Sequence, residues 1–229
     1  VVGELNNTNN SNVYLARDKS SNEQYAIKVL KPKHGDPMHE ERIKREIEIM
    51  ISCQHPTIAQ IVGYSTTDFS GAKNTSIITK YWPKGNLSEI IEKSKKGLSD
   101  LVFDNTKRQI ILIGVAKAMM FLHQHRIIHR DLKLENVLIN DNYEPLLTDF
   151  NLSKICDPTQ SMKQSAQYGS PYTMAPEIFA LKTMYGFKAD VYSYGILMYM
   201  VIFDEYPFPE LINEEMDYEN LNKKMKESD

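Results

Sequence analysis

His129-Arg130-Asp131-Leu132-Lys133-Leu134-Glu135-Asn136 is the stretch on which the reading of this chain turns. Three polar heads, Asp131, Lys133 and Asn136, crowd into one short loop. Apolar residues bracket it, Ile127-Ile128 before and Val137-Leu138-Ile139 after. Apolar flanks are driven inward, while a polar interruption between them stays at a surface or cleft. An acid, a cation and an amide oxygen held that closely can act as a base, a charge-balancing group and a metal ligand.

Downstream of the loop the pattern predicts a hairpin, Val137 to Ile139 and Pro145 to Thr148, turning through Asn140-Asp141-Asn142. Asp149-Phe150-Asn151 ends it. A polar, Ser/Thr-rich segment runs from about Ser153 to Thr173, and a buried, apolar helix is expected from Asp190 to Phe203. Upstream, Asn105 to His125 reads as a long helix, apolar on nearly every side and therefore buried, with Ile110, Ile113, Ala116 and Met120 able to face inward. A shorter helix through Ser94 has Asn86 or Ser88 as its cap.

The first 80 residues read differently. Strands are expected at Val1 to Leu5, Val13 to Ala16, Gln24 to Leu30, Ile58 to Tyr64 and Ser76 to Lys80, with an Asn-rich turn from Asn6 to Asn12. One helix, Met38 to Cys53, carries Ile43, Ile47, Met50 and Ile51 at helical spacing. On it Glu40 with Lys44 and Glu41 with Arg45 stand four apart. The expected organisation is a strand-rich unit, residues 1–80, followed by a mainly helical unit, residues 81–229.

Composition narrows the function. A net charge of −3 over 229 residues makes no case for nucleic acid or an anionic membrane. The apolar runs are too short to span a bilayer. Two cysteines, Cys53 and Cys156, at no paired spacing argue against a disulfide framework or a zinc site, which fits a cytoplasmic setting.

Taken in order, these stretches resemble a eukaryotic protein kinase domain of the serine/threonine type, from about Val1 to Pro209. The resemblance implies a two-lobed α+β fold, a small antiparallel sheet joined to a mainly helical lobe, that uses ATP and Mg²⁺ to phosphorylate a protein substrate. It makes Asp131 the base and Lys133 the group that stabilises the transferring phosphoryl. Asn136 and Asp149 become the metal ligands. Tyr25-Ala26-Ile27-Lys28 is similar to the strand whose lysine holds the phosphates, with Glu46 as its partner. Ile78-Thr79-Lys80-Tyr81-Trp82 resembles the hinge, so that Thr79, Lys80 and Trp82 contact the nucleotide together with Val13, Ala26 and Leu138. Gly169-Ser170-Pro171 through Ala175-Pro176-Glu177 resembles the substrate-docking segment, which disfavours a kinase of small molecules. Ser170 with Lys133 is the serine/threonine pattern. The resemblance also assigns Asp190 to support of the catalytic loop. Arg130 could bind a phosphate placed by an upstream kinase on Thr159, Ser161, Ser165 or Tyr168.

Three features depart from that family. Aligning on Val13 puts Asn6, Thr8 and Ser11 where its phosphate loop has glycines. Asn151 replaces a glycine, and asparagine is among the few residues that tolerate positive φ. The last helices expected of the large lobe are not evident after Pro209, which would leave Glu177 unpaired. These departures keep open a second reading, a catalytically weak or inactive kinase-like scaffold that binds partners.

Overall fold

The computed structural model describes residues 1–8, 10–32, 38–98, 103–156, 169–179 and 186–208. Five antiparallel strands, β1 (Gly3–Asn7), β2 (Ser11–Arg17), β3 (Gln24–Leu30), β4 (Ile61–Ser65) and β5 (Ser76–Lys80), form a sheet in the order β1-β2-β3-β5-β4. Its register sets Val13 opposite Lys28 and Lys28 opposite Ile77. It likewise sets Leu15 opposite Ala26 and Ala26 opposite Thr79. Opposed residues share a face, as do residues two apart in one strand. Val13, Leu15, Ala26, Lys28, Ile77 and Thr79 therefore line a single face.

Helix α1 (His39–Ser52) buries Glu46, Ile47, Ile49 and Met50. Ile51, expected inward, is half exposed, because a 3.6-residue turn carries it past the face that Ile47 and Met50 share. Arg45 pairs with Glu41 at 3.0 Å, as expected, whereas Lys44 reaches forward to Glu48 at 3.8 Å. Strand β4 starts later than the sequence suggested. Ile58 instead bridges Leu147, with Ala59 N–H donating to the Leu147 carbonyl and Leu147 N–H to the Thr57 carbonyl, each at 2.9 Å. That junction ties the sheet's connecting segment to the hairpin beyond the loop of residues 129–136.

The rest is mainly helical: α2 (Leu87–Lys95), α3 (Asn105–Gln124), α4 (Pro176–Phe179) and α5 (Phe187–Phe203). Two short pairs join them, β6 (Ile127–Ile128) with β9 (Lys154–Ile155) and β7 (Val137–Ile139) with β8 (Pro145–Leu147). Asn86 is the cap of α2, accepting the Glu89 N–H at 3.0 Å. One apolar core runs through both parts, from Leu30, Ile47 and Ile77 to Leu132, Leu147 and Phe150. The fold is α+β.

The two helices expected to be wholly buried are not. On α3 the inward set is Ile111, Gly114, Val115, Ala118, Met119 and Leu122, while Ile110, Ile113 and Met120 face outward. A helix that is apolar all round has no polar stripe to choose its roll. Gly114 chooses it. A Cβ there would fall 2.3 Å from Pro145 Cγ, so only this residue lets α3 approach β8. On α5, which begins one turn earlier than expected, Val191, Met198, Ile202 and Phe203 are exposed and Ala189, Asp190, Ser193, Ile196, Leu197 and Val201 are buried.

Arg108 on α3 clasps the end of α5. Its guanidinium donates to both carboxylate oxygens of Asp204, at 2.7 and 2.8 Å, and to the Val201 carbonyl. Arg108→Ala is expected to lower the unfolding free energy by about 2 kcal/mol, since the bonds are charge-assisted. A urea titration would read this as a lower midpoint at unchanged slope, with little further loss on adding Asp204→Ala.

Candidate active site

The loop of residues 129–136 is built on a buried carboxylate. Asp190, in the first turn of α5 and 1% exposed, accepts the backbone N–H groups of His129 at 2.9 Å and Arg130 at 2.8 Å. His123 Nε2 lies 2.8 Å from the same carboxylate. Arg130 turns through a left-handed conformation, φ 69°. His129 is fully buried. Its Nδ1 accepts the Asp131 N–H at 3.3 Å, so its Nε2 carries the proton and donates to the Thr148 carbonyl at 3.1 Å. Thr148 directly precedes Asp149, which couples the loop to the Asp149 segment.

This frame presents Asp131 to a ring of donors. Oδ1 accepts the Ser170 N–H at 3.0 Å and the Ser170 hydroxyl at 2.8 Å. Oδ2 accepts Asn136 Nδ2 at 2.9 Å and lies 3.2 Å from Lys133 Nζ. Lys133 also donates to Ser170 Oγ at 2.9 Å. Gly169 makes the approach possible: at φ 123° it adopts a conformation closed to other residues, and a Cβ there would stand 2.7 Å from the Arg130 carbonyl.

The second cluster lies under the sheet. Lys28 Nζ donates to Glu46 Oε1 at 2.8 Å and to Asp149 Oδ1 at 2.7 Å. Burial alone would lower the lysine's pKa, but the Asp149 and Glu46 carboxylates outweigh it and hold the ammonium above its ordinary value. Burial pushes the Glu46 carboxyl up against the pull of Lys28. Asp149, although also desolvated, is held below its usual range, chiefly by the Lys28 charge.

Val13, Ala26, Thr79 and Leu138 are half-buried. Leu138 is brought close by its bridge to Asn86. Lys80 pairs with Tyr25 at the exit of β5 and sets its ammonium 4.8 Å from the centre of the Trp82 ring, and the Trp82 carbonyl accepts the Gly85 N–H at 3.1 Å. The fold thus brings Asp131, Lys133 and Asn136 together. It brings Lys28, Glu46 and Asp149 together as a second group.

Two expectations need correction. Asn151 is not at positive φ. The left-handed residue is Asp149, φ 67°, whose turn aims its carboxylate at Lys28. Asn151 Oδ1 is buried with no hydrogen-bond partner among the described residues. Glu177 is half-buried and does not stand unpaired. Its charge, after burial, helps to raise the pKa of the Tyr192 hydroxyl. Thr159, Ser161, Ser165 and Tyr168 lie outside the described residues, as does the charged tail from Met216. Sequence reasoning missed His123 and the role of Gly169. A glycine directly before a hydroxyl residue, with no apolar period around it, was the available signal for the second.

Residues 2–228 match the family described as the protein kinase domain. This chain belongs to that family. It is 33% identical over 186 residues to serine/threonine-protein kinase STY46 of Arabidopsis thaliana, covering 81% of this chain and 30% of the relative. Human serine/threonine-protein kinase 10 is 33% identical over 92% of the chain and 21% of its own length. Human serine/threonine-protein kinase TNNI3K is 32% identical over 73% and 19%. The kinase domain therefore spans between about a fifth and a third of the length of these relatives. Among the described residues no helix is long and apolar enough to cross a membrane.

Proposed function

We propose that this kinase domain transfers a phosphoryl group from ATP, in the presence of Mg²⁺, to serine or threonine hydroxyls of a protein. The observation that carries the reading is the environment of Asp131, a 6% exposed carboxylate. Its Oδ1 already holds one hydroxyl, that of Ser170, and its Oδ2 lies 3.2 Å from the Lys133 ammonium. An incoming hydroxyl bound beside Oδ1 would be oriented by Asp131 and would lose its proton to it. Lys133 balances charge developing on the transferring group. Lys28, fixed by Glu46, holds the phosphates on the sheet side.

The donor set suits the implied groups. Asn136 spends Nδ2 on the Asp131 carbonyl and carboxylate, at 2.8 and 2.9 Å, which turns its amide oxygen away from Asp131. That oxygen and the Asp149 carboxylate are hard ligands of the kind Mg²⁺ takes. The half-buried apolar surface of Val13, Ala26 and Leu138 suits a flat base. When bound, ATP supplies the phosphoryl group and Mg²⁺ screens its charge.

The test is a thermal-shift titration with ATP, with and without Mg²⁺, on wild type and Asp149→Asn. A native-state ligand at 100 times its Kd stabilises by about 2.7 kcal/mol. A Mg²⁺-dependent rise in wild type, lost in Asp149→Asn and accompanied by phosphorylation of a serine-containing protein, is the expected result. A cooperative melt unmoved by millimolar nucleotide would overturn the enzyme reading in favour of a scaffold.

A further inference from the structure

The turn between β1 and β2 stands at the phosphate end of the Lys28 face. Ser11 opens β2 two residues before Val13, pairs with Leu30, and lies on the Val13 side of the strand. A rise of about 3.3 Å per residue puts it roughly 7 Å along the sheet from the Val13–Lys28 pair. Loops in this position bind phosphate by offering unencumbered backbone N–H groups, which is why glycine suits them.

Here two of these donors, the Asn10 and Ser11 amides, are already taken. Thr8 Oγ1 accepts the Ser11 N–H at 3.1 Å and the Asn10 N–H at 3.3 Å, and donates to the Ser11 carbonyl at 3.0 Å. The Thr8 N–H donates to the same carbonyl at 2.9 Å. Lys31, just beyond β3, holds the turn from outside. Its ammonium donates to Asn7 Oδ1 at 2.9 Å and to the Thr8 carbonyl at 2.6 Å, and its N–H donates to the Asn10 carbonyl at 2.9 Å.

We infer that Thr8 is an affinity-determining residue for the nucleotide phosphates: its hydroxyl stands in for a phosphate oxygen on the Asn10 and Ser11 amides, and bound ATP must compete with it. The inference rests on the function proposed above. It gives the sign that the missing glycines alone leave open. The loop's weakness toward phosphate comes from an occupied pair of donors, and removing the occupant strengthens binding.

Three proteins decide it: wild type, Thr8→Ala and Thr8→Ser. Two readouts are needed, amide hydrogen exchange of the 6–12 segment without nucleotide and Kd for ATP and for adenosine. Thr8→Ala is expected to speed exchange at Asn10 and Ser11 and to tighten ATP by about fivefold, the worth of one net hydrogen bond. Adenosine, lacking phosphates, binds all three alike, and Thr8→Ser behaves as wild type. Weaker or unchanged ATP binding by Thr8→Ala, or equal tightening of ATP and adenosine, overturns the inference. Unchanged exchange in Thr8→Ala overturns the contact itself. Failure of all three proteins to bind ATP while exchange accelerates would instead sink the proposed function and leave the contact standing.

Discussion

Asp131→Asn is expected to lower kcat for phosphoryl transfer by about 10³-fold, within the usual range for losing a positioned general base. The substitution keeps the shape of the side chain and one oxygen. That oxygen can go on accepting the Ser170 N–H and hydroxyl, now at 3.0 and 2.8 Å. The new amide nitrogen must then face Asn136 Nδ2 and Lys133 Nζ, which are donors as well. Asn136 can relieve the clash by turning its own amide, which would present its nitrogen where the metal ligand is proposed. Weaker Mg²⁺ dependence should therefore accompany the fall in kcat, with KM for ATP changed far less because Lys28 and Glu46 are untouched. Steady-state kinetics across a Mg²⁺ series reads both effects. A variant keeping more than a tenth of the wild-type rate would remove Asp131 from the role of base.

Lys28→Met is the second large effect, and it reads on stability as well as on ATP. The ammonium is the shared partner of Glu46, which is 2% exposed, and of Asp149. Removing one partner of a buried pair leaves an uncompensated charge and costs about 3 kcal/mol. Glu46 can escape that cost by taking up a proton. Its carboxyl is already pushed up by burial, and without Lys28 the main opposing influence is gone. A carboxyl whose folded pKa lies above its unfolded value binds more protons in the native state, so stability falls as pH rises from the unfolded value, about 4.3, through the folded one. The deficit of Lys28→Met is thus smaller at pH 5 than at pH 8. Adding Glu46→Gln should recover part of it at pH 8. Urea denaturation at the two pH values measures this, and a deficit independent of pH would show that Glu46 does not carry the effect.

Much of this was legible because it is local. The helix of Glu46, the hairpin after the catalytic loop and the spacing of Asp131 to Asn136 all follow from periods and turn residues a few positions apart. Partners far apart in sequence follow from no local period, and only the family resemblance assigned Asp190 to the catalytic loop. Ser170 reaches Asp131 across 39 positions, and Asp190 reaches the His129 and Arg130 amides across 61 and 60. The Asn-rich turn could be placed from its composition, but the hydrogen bonds of Thr8 and Lys31 within it are not visible there.

The sequence by itself determined the order of strands and helices, because hydrophobic period is a property of neighbouring residues, while the α+β kinase class and the candidate chemical residues came through the resemblance that those stretches carry. Tertiary structure alone decided which sides of α3 and α5 are buried. Both helices are apolar nearly all round, so burial could not choose between their faces. Gly114 against Pro145 and Asp190 beneath the catalytic loop made the choice, since close backbone approach and a buried carboxylate each admit one orientation.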